Sequence, residues 1–341
     1  MPSVRLVQLV QGVQRAVLPL CPALRTTAKL TDVQTARHRA ALNNGFVRAM
    51  PAVFVLIWST GFIVAKLGLL HAPPLSFLSW RYLLSVVCFL LWCAVSRPAW
   101  PRERRQWLHL AVAGMLMHAG YLGGVWMAVK AGMGSGLAAL IVGLQPVLTA
   151  LWVSSVGASA SGQAAASPTV TARQWAGLLL GMSGLLMVVA RKFGSSSEVT
   201  ALTLGCEVAA LLSITAGTLY QKRFVRPADV RSASVIQLLA ALLVTAPFAL
   251  LETDSIVWSL PMMGAMAWSV VVLTMGGGSL LYLLIQRGAA TSVSSLMYLV
   301  PPTTALMAWL LFGEAVTLTT IAGTVLTAVG VSLVVRPARA A

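Results

Sequence analysis

Leu144-Gln-Pro-Val-Leu-Thr-Ala-Leu151 and Leu299-Val-Pro-Pro-Thr-Thr-Ala-Leu306 decide the fold, because the second repeats the first 155 positions later. Leu144, Pro146, Thr149, Ala150 and Leu151 coincide with Leu299, Pro301, Thr304, Ala305 and Leu306. The similarity extends outward. A displacement of 146 lays Ala176, Gly177, Gly184, Val188 and Val189 on Ala322, Gly323, Gly330, Val334 and Val335. The loss of nine positions falls in the Ser/Ala/Gly-rich stretch 157–172. A displacement of 156 pairs Gly61 and Lys66 with Gly217 and Lys222. Self-similarity of this kind marks a duplicated structural unit.

Both copies are written for lipid. The chain is 58% hydrophobic and 9% charged, with a mean hydropathy of +0.85. A water-facing surface needs about 25% charged residues, so most of this chain must be solvated by a bilayer. Ten apolar runs are long enough to span about 30 Å of hydrocarbon at about 1.5 Å per residue. Their limits are 50–70, 75–95, 107–129, 134–156, 174–190, 201–221, 233–251, 262–285, 291–311 and 317–335. The fold class expected is an all-α membrane protein of ten transmembrane helices. The domains expected are a basic tail 1–49, a first five-helix repeat 50–190 and a second 201–336.

The net charge of +16 does not mark a nucleic-acid binder, because the basic residues sit in short connections between spans. Placing the N-terminus in the cytoplasm puts 19 of the 24 Lys and Arg on that side and three opposite, with Lys66 and Arg81 inside spans. The positive-inside rule then puts both termini in the cytoplasm, in a bacterial-type inner membrane. An odd number of spans per copy makes the second copy enter from the opposite side. Inverted repeats of this kind build alternating-access carriers, with the substrate near the midplane.

Residues 1–49 carry seven basic residues and no signal-peptide core. They read as a disordered tail or, from the spacing of Val4, Leu6, Leu9, Val10, Val13 and Val17, as an interfacial helix. Met50 directly precedes the first span and is a second possible start. Cys21, Cys88, Cys93 and Cys206 have neither metal-ligand nor redox spacing, so no metal and no cofactor are expected.

The motifs resemble the drug/metabolite transporter superfamily of the EamA type. Trp58-Ser-Thr-Gly-Phe62, Lys66, Pro74 and Arg81 look like that family's first two helices. The Pro-containing fourth span, Leu299-Val-Pro301 and Phe312-Gly-Glu314 before a Gly-rich last span look like the rest. In one departure, Gly157 leads into Ala-Ser-Ala-Ser where such repeats usually carry Gly-Glu. The resemblance implies a ten-helix carrier, often an exporter of amino acids, metabolites or toxic compounds.

Polar groups inside spans are costly and read as candidate transport residues. Lys66 lies about 6 Å inside the outer end of span 1, and Arg81 and Glu207 both lie about 9 Å below the same surface. Equal depth predicts an Arg81–Glu207 pair, serving as an outer gate, a carboxylate-binding site or a static link between helices. Lys66 reads either as part of that gate or as a snorkelling surface residue. His118, midway along span 3, is a candidate proton-coupling group or a packed, hydrogen-bonded histidine. Pro146 and Pro301 interrupt the hydrogen bonding of spans 4 and 9, which kinks them or lets them line a cavity. Trp58, Tyr121, Trp126, Gln145, Tyr282 and Tyr298 are candidate lining residues. Gly120-x-x-x-Gly124 and Gly177-x-x-x-Gly181 suit close helix packing.

A secondary exporter of a small-molecule substrate, with protons as a possible partner, is the function this pattern favours; the protein would act as a monomer or homodimer. The alternatives are an intramembrane enzyme and a non-transporting membrane scaffold. Hydrolysis would need paired carboxylates, a Ser–His constellation or clustered ligands, and no catalytic residue is assigned.

Overall fold

A computed structural model describes residues 52–149, 152, 172–192, 198–281 and 299–335. All of them fall in one compact unit, Pro51–Ala341. The expected tail 1–49, Tyr282 and Tyr298 lie outside the described residues, as does nearly all of the loop 157–172. Among the described residues the regular structure is helical throughout, without strands.

In chain order the helices are α1 (Ala52–Gly68), α2 (Pro74–Ser96), α3 (Arg104–Lys130), α4 (Ser135–Thr149), α5 (Ala172–Lys192), α6 (Ala201–Phe224), α7 (Val230–Ala249), α8 (Leu260–Leu281), α9 (Val300–Phe312) and α10 (Leu318–Val335). By length and composition α2, α3, α6, α7 and α8 can cross a membrane, and the apolar stretches Ala52–Gly68, Ser135–Thr149, Trp175–Ala190, Val300–Phe312 and Leu318–Leu333 of the other helices are 10–17 residues long among the described residues. The chain is a multi-pass membrane protein.

In lipid every backbone donor and acceptor needs a partner, so helix ends are informative. Pro74 opens α2 at a position where its missing N–H costs nothing. The free amides of Leu75 and Ser76 then donate to the Glu252 carboxylate at 3.0 and 2.7 Å. Thr200 and Thr203 form a reciprocal capping box at the start of α6. Asp229 caps α7 by accepting from the Arg231 amide at 2.9 Å. At its C-terminal end α9 stops on Gly313, whose φ of 63° is left-handed backbone that favours glycine.

Small residues decide which helices touch. A Cβ on Gly184 would lie 2.5 Å from the Gly323 carbonyl oxygen, and one on Gly330 would lie 2.5 Å from that of Gly177. These two contacts exchange under the 146-residue displacement, and they make α5 and α10 antiparallel and nearly backbone to backbone. Gly61 against Leu273 and Gly217 against Met117 exchange in the same way under the displacement of 156. These contacts join α1 to α8 and α6 to α3. A Cβ on Gly143 would lie 2.9 Å from Pro301 Cγ, where α4 crosses α9. The α4 helix breaks into a turn at Gly143–Leu144, just before Pro146.

Both α3 and α8 contain π-helical stretches, Met115–Gly120 and Trp268–Gly278. Adding 156 to the first falls inside the second. Such stretches widen a helix by one residue per turn and commonly mark functional positions.

Candidate functional site

Arg81 and Glu207 do not pair. Arg81 is nearly buried, and its Nε donates to Thr274 Oγ1 at 3.1 Å, inside the π stretch of α8. Glu207 is fully buried, and neither carboxylate oxygen has a hydrogen-bond partner among the described residues. The reason lies in helix neighbours: α2 packs on α7, α8 and α3, whereas α6 packs on α3 and α4, so that α3 stands between the two charges. Equal depth put the two charges at one level, but they face different partners.

Tyr121 lies between them. It is buried on α3, within electrostatic range of both Arg81 and Glu207, and its hydroxyl faces the Trp58 indole. His118, one turn earlier in the π stretch, is within range of Arg81 and faces the side-chain amide of Gln237 on α7. Its carbonyl oxygen accepts from the Tyr82 hydroxyl at 2.9 Å. Trp58, Arg81, His118, Tyr121 and Glu207 are therefore brought to one polar centre. Under the displacement of 156, Arg81 corresponds to Gln237 and His118 to Thr274. The Arg81–Thr274 contact is thus the counterpart of the Gln237–His118 contact.

The other predicted residues stand apart. Gln145 Nε2 donates to Thr218 Oγ1 at 3.0 Å, linking α4 to α6. Pro301 is buried against Gly143, and Pro146 is partly buried beyond the turn. Trp126 stacks on Phe77 with centroids 4.4 Å apart, which makes it a core residue.

Lys66 neither snorkels freely nor meets Arg81. Its Nζ pairs with Glu314 Oε1 at 2.7 Å and sits 4.7 Å from the centre of the Phe312 ring. Glu314 also accepts from the backbone amides of Ser135 and Gly136 at 3.1 and 3.4 Å. A carboxylate on the positive end of α4 is favourable, and here it joins α1, α4 and α9 at one end of the bundle. A small pocket lined by Gly136, Leu140, Val188, Ala305, Glu314 and Thr324 adjoins the pair. At the opposite end Arg226 pairs with Glu103 at 2.7 Å, and the Gln106 side chain holds the Arg226 backbone.

Three residues of this arrangement were absent from the sequence-based candidates: Thr274, Gln237 and Glu314. The displacement of 156 could have supplied the first two, by carrying His118 and Arg81 into the second copy. Glu314 had a weaker signal, as an acid at the end of an apolar run on the same side as Lys66.

Comparison with known proteins is consistent over the chain's length. The model of the EamA-like transporter family matches residues 49–190 and again 202–336. A Salmonella typhimurium protein named "Probable amino-acid metabolite efflux pump" is 27% identical over 286 residues, covering 81% of this chain and 90% of that protein. The Bacillus subtilis "Uncharacterized transporter YvbV" is 24% identical, covering 83% of this chain and 89% of its own length. An "Uncharacterized transporter" of Archaeoglobus fulgidus is 23% identical, covering 85% and 97%. One solved crystal structure shares the fold with a TM-score of 0.61 at 16% identity, covering 87% of this chain and 99% of the other. Family and relatives point to a membrane transporter of small molecules rather than an enzyme. This chain belongs to the EamA-like transporter family.

Proposed function

We propose that this protein is a ten-span secondary transporter of the inner membrane, with both termini cytoplasmic, that exports small polar metabolites by alternating access. Amino acids are the first substrate class to test. The observation that carries this reading is Arg81. It is an almost buried guanidinium at the centre of the helix bundle, with no carboxylate partner among the described residues. Only its Nε is engaged among the described residues, and a substrate carboxylate would offer the guanidinium a bidentate partner. Trp58, Tyr82 and Tyr121 supply the apolar and hydroxyl-bearing walls.

The exchangeable contacts across α5–α10, α1–α8 and α6–α3 support two inverted repeats, 50–190 and 201–336. Each repeat would then move as a body about the polar centre. Lys66–Glu314 closes the outer end in this conformation, because it ties α1 of one repeat to α9 of the other. The relative named as an amino-acid metabolite efflux pump supports the substrate class.

Reconstitution in liposomes tests the proposal. Radiolabelled amino acids and cationic compounds would be followed with and without a pH gradient. Protein-dependent flux of a carboxylate-bearing solute is expected. Absence of flux for every class, from protein that is folded by size exclusion, would refute it.

A further inference from the structure

We propose that the α2–α3 connection and the first residues of α3, 97–105, bind an anionic phospholipid. Arginines hold its phosphodiester, and its acyl chains lie along the exposed ends of α2 and α3. The leaflet rests on the orientation proposed above, which makes this the cytoplasmic end; the binding rests on neither orientation nor transport.

Four arginines and one glutamate fall in these nine residues. The glutamate is committed, because Glu103 pairs with Arg226 of the α6–α7 connection at 2.7 Å. The other acid described at this end, Asp229, is held by Arg231 at 2.6 Å. Arg97, Arg102, Arg104 and Arg105 are all exposed, and none has an acidic partner among the described residues. A basic cluster directly beside a membrane-spanning helix attracts anionic headgroups, and the planar guanidinium matches phosphate through two hydrogen bonds.

The backbone carrying these charges is tethered. The Gln106 side chain donates to the Arg226 carbonyl at 2.8 Å and accepts from the Arg226 amide at 3.2 Å. The Ser232 hydroxyl donates to the Ala99 carbonyl at 3.0 Å, and the Trp107 indole donates to the Pro101 carbonyl at 2.8 Å. The connection is thus held in place while its cationic groups are left open, so little ordering is needed when a lipid arrives. Trp107 also lies nearly parallel to Trp100, with centroids 5.8 Å apart, and both rings are exposed. Tryptophan settles at the headgroup level of a bilayer, which sets the height of the arginines. Toward the bilayer from this pair, Leu91, Val95 and Leu108 are exposed, Val95 by 87%. The surface therefore runs from apolar through aromatic to cationic, matching acyl chain, glycerol and phosphate in turn. A soluble acidic peptide would leave the apolar part of that surface uncovered.

Arg97 is an independent sign. It ends α2 with a φ of 47°, the one positive value at a non-glycine among the described residues. Glycine is the residue that adopts this backbone without strain. An arginine there places a cation directly beyond the last turn of α2, where glycine would keep the turn and lose the charge.

Native mass spectrometry of the full chain in detergent, offered equal dioleoyl phosphatidylglycerol and dioleoyl phosphatidylcholine, tests the site. The wild type should retain phosphatidylglycerol preferentially. A basic side chain at an anionic lipid surface is worth about fivefold, so Arg97→Gly should lower the preference about fivefold. The combined R102Q, R104Q and R105Q variant should abolish it. Without added lipid, Arg97→Gly should melt no lower than wild type, which separates lost binding from lost fold. Arg173→Gln, which removes one cation from the start of α5, should leave the preference unchanged. Equal retention of the two lipids by the wild type overturns the proposal, and so does a preference that survives the triple substitution. A loss as large in Arg173→Gln as in Arg97→Gly overturns it too, by making the effect one of net charge. Displacement of the bound lipid by millimolar inorganic phosphate would show a plain anion site and has the same consequence. Liposomes without flux would refute the transport reading and leave the lipid result standing.

Discussion

At the scale of single residues, the charges inside the bundle differ in what they ask of their surroundings. Lys66 is satisfied: Glu314 and the Phe312 ring surround its ammonium. Arg81 is half satisfied, and Glu207 is unpaired among the described residues. A lost charge-assisted hydrogen bond is worth about 1.5–3 kcal/mol, or about tenfold or more in binding. Arg81→Gln is therefore expected to reduce flux of carboxylate-bearing solutes by about tenfold or more in liposomes, while Arg81→Lys, which lacks the planar fork, recovers only part of it. Thr274→Val leaves Arg81 Nε without its acceptor. It should lower the thermal stability of detergent-solubilised protein by about 1–3 kcal/mol, read as a reduced melting temperature.

At the scale of elements, glycine contacts and helix caps decide the packing. The α5–α10 crossing has no room for a methyl group, since a Cβ on Gly184 would also lie 2.8 Å from the Leu326 Cβ. Gly184→Ala should therefore push the helices apart at a cost of about 1–3 kcal/mol. Fluorescence-monitored melting should show the drop, and Gly205→Ala, where a Cβ meets nothing within 4 Å, should not. The start of α7 depends on Asp229, which accepts from the Arg231 guanidinium at 2.8 and 2.6 Å and from its amide. Those bonds, the guanidinium first, hold the Asp229 carboxyl below the usual carboxylate range. A depressed folded value means that the stabilisation is present above the unfolded carboxylate range and is lost as pH falls through the folded one. Asp229→Ala should cost about 1 kcal/mol by removing the cap, and its deficit against wild type should shrink in acid.

At the scale of the whole molecule, the two ends of the bundle are unequal. Lys66 has its counterpart in Lys222, but the sequence after span 4 runs Gly157-Ala-Ser-Ala-Ser and supplies no glutamate like Glu314. Under the inverted-repeat proposal, the Lys66–Glu314 latch at the outer end has no repeat-related counterpart, and the inner end carries the more exposed Arg226–Glu103 pair instead. A partly buried pair contributes about 1 kcal/mol, enough to shift a two-state population about fivefold. Glu314→Gln should therefore raise the outward-open population. A cysteine placed at Ala305, which faces Gly136 beside the latch, should then react about fivefold faster with an impermeant maleimide added from outside. No change in that rate would remove the latch from the mechanism.

The sequence by itself determined the medium and the helical class, because these depend on composition and on patterns carried along one chain. Nine per cent charge forbids a water-facing globule wherever the helices lie, and the Pro146 and Pro301 motifs are alike without any contact being known. It also offered Trp58, Arg81, His118, Tyr121 and Glu207 as candidates, since a polar group in lipid is costly in any arrangement. Only the tertiary structure decided who meets whom. Depth follows from counting residues along a helix, but azimuth follows from which helices are neighbours. Arg81 and Glu207 share a depth and do not pair, whereas Lys66 and Glu314 lie 248 positions apart and touch. The neighbours are set by where glycines let backbones approach, and that condition belongs to pairs of helices rather than to either sequence alone.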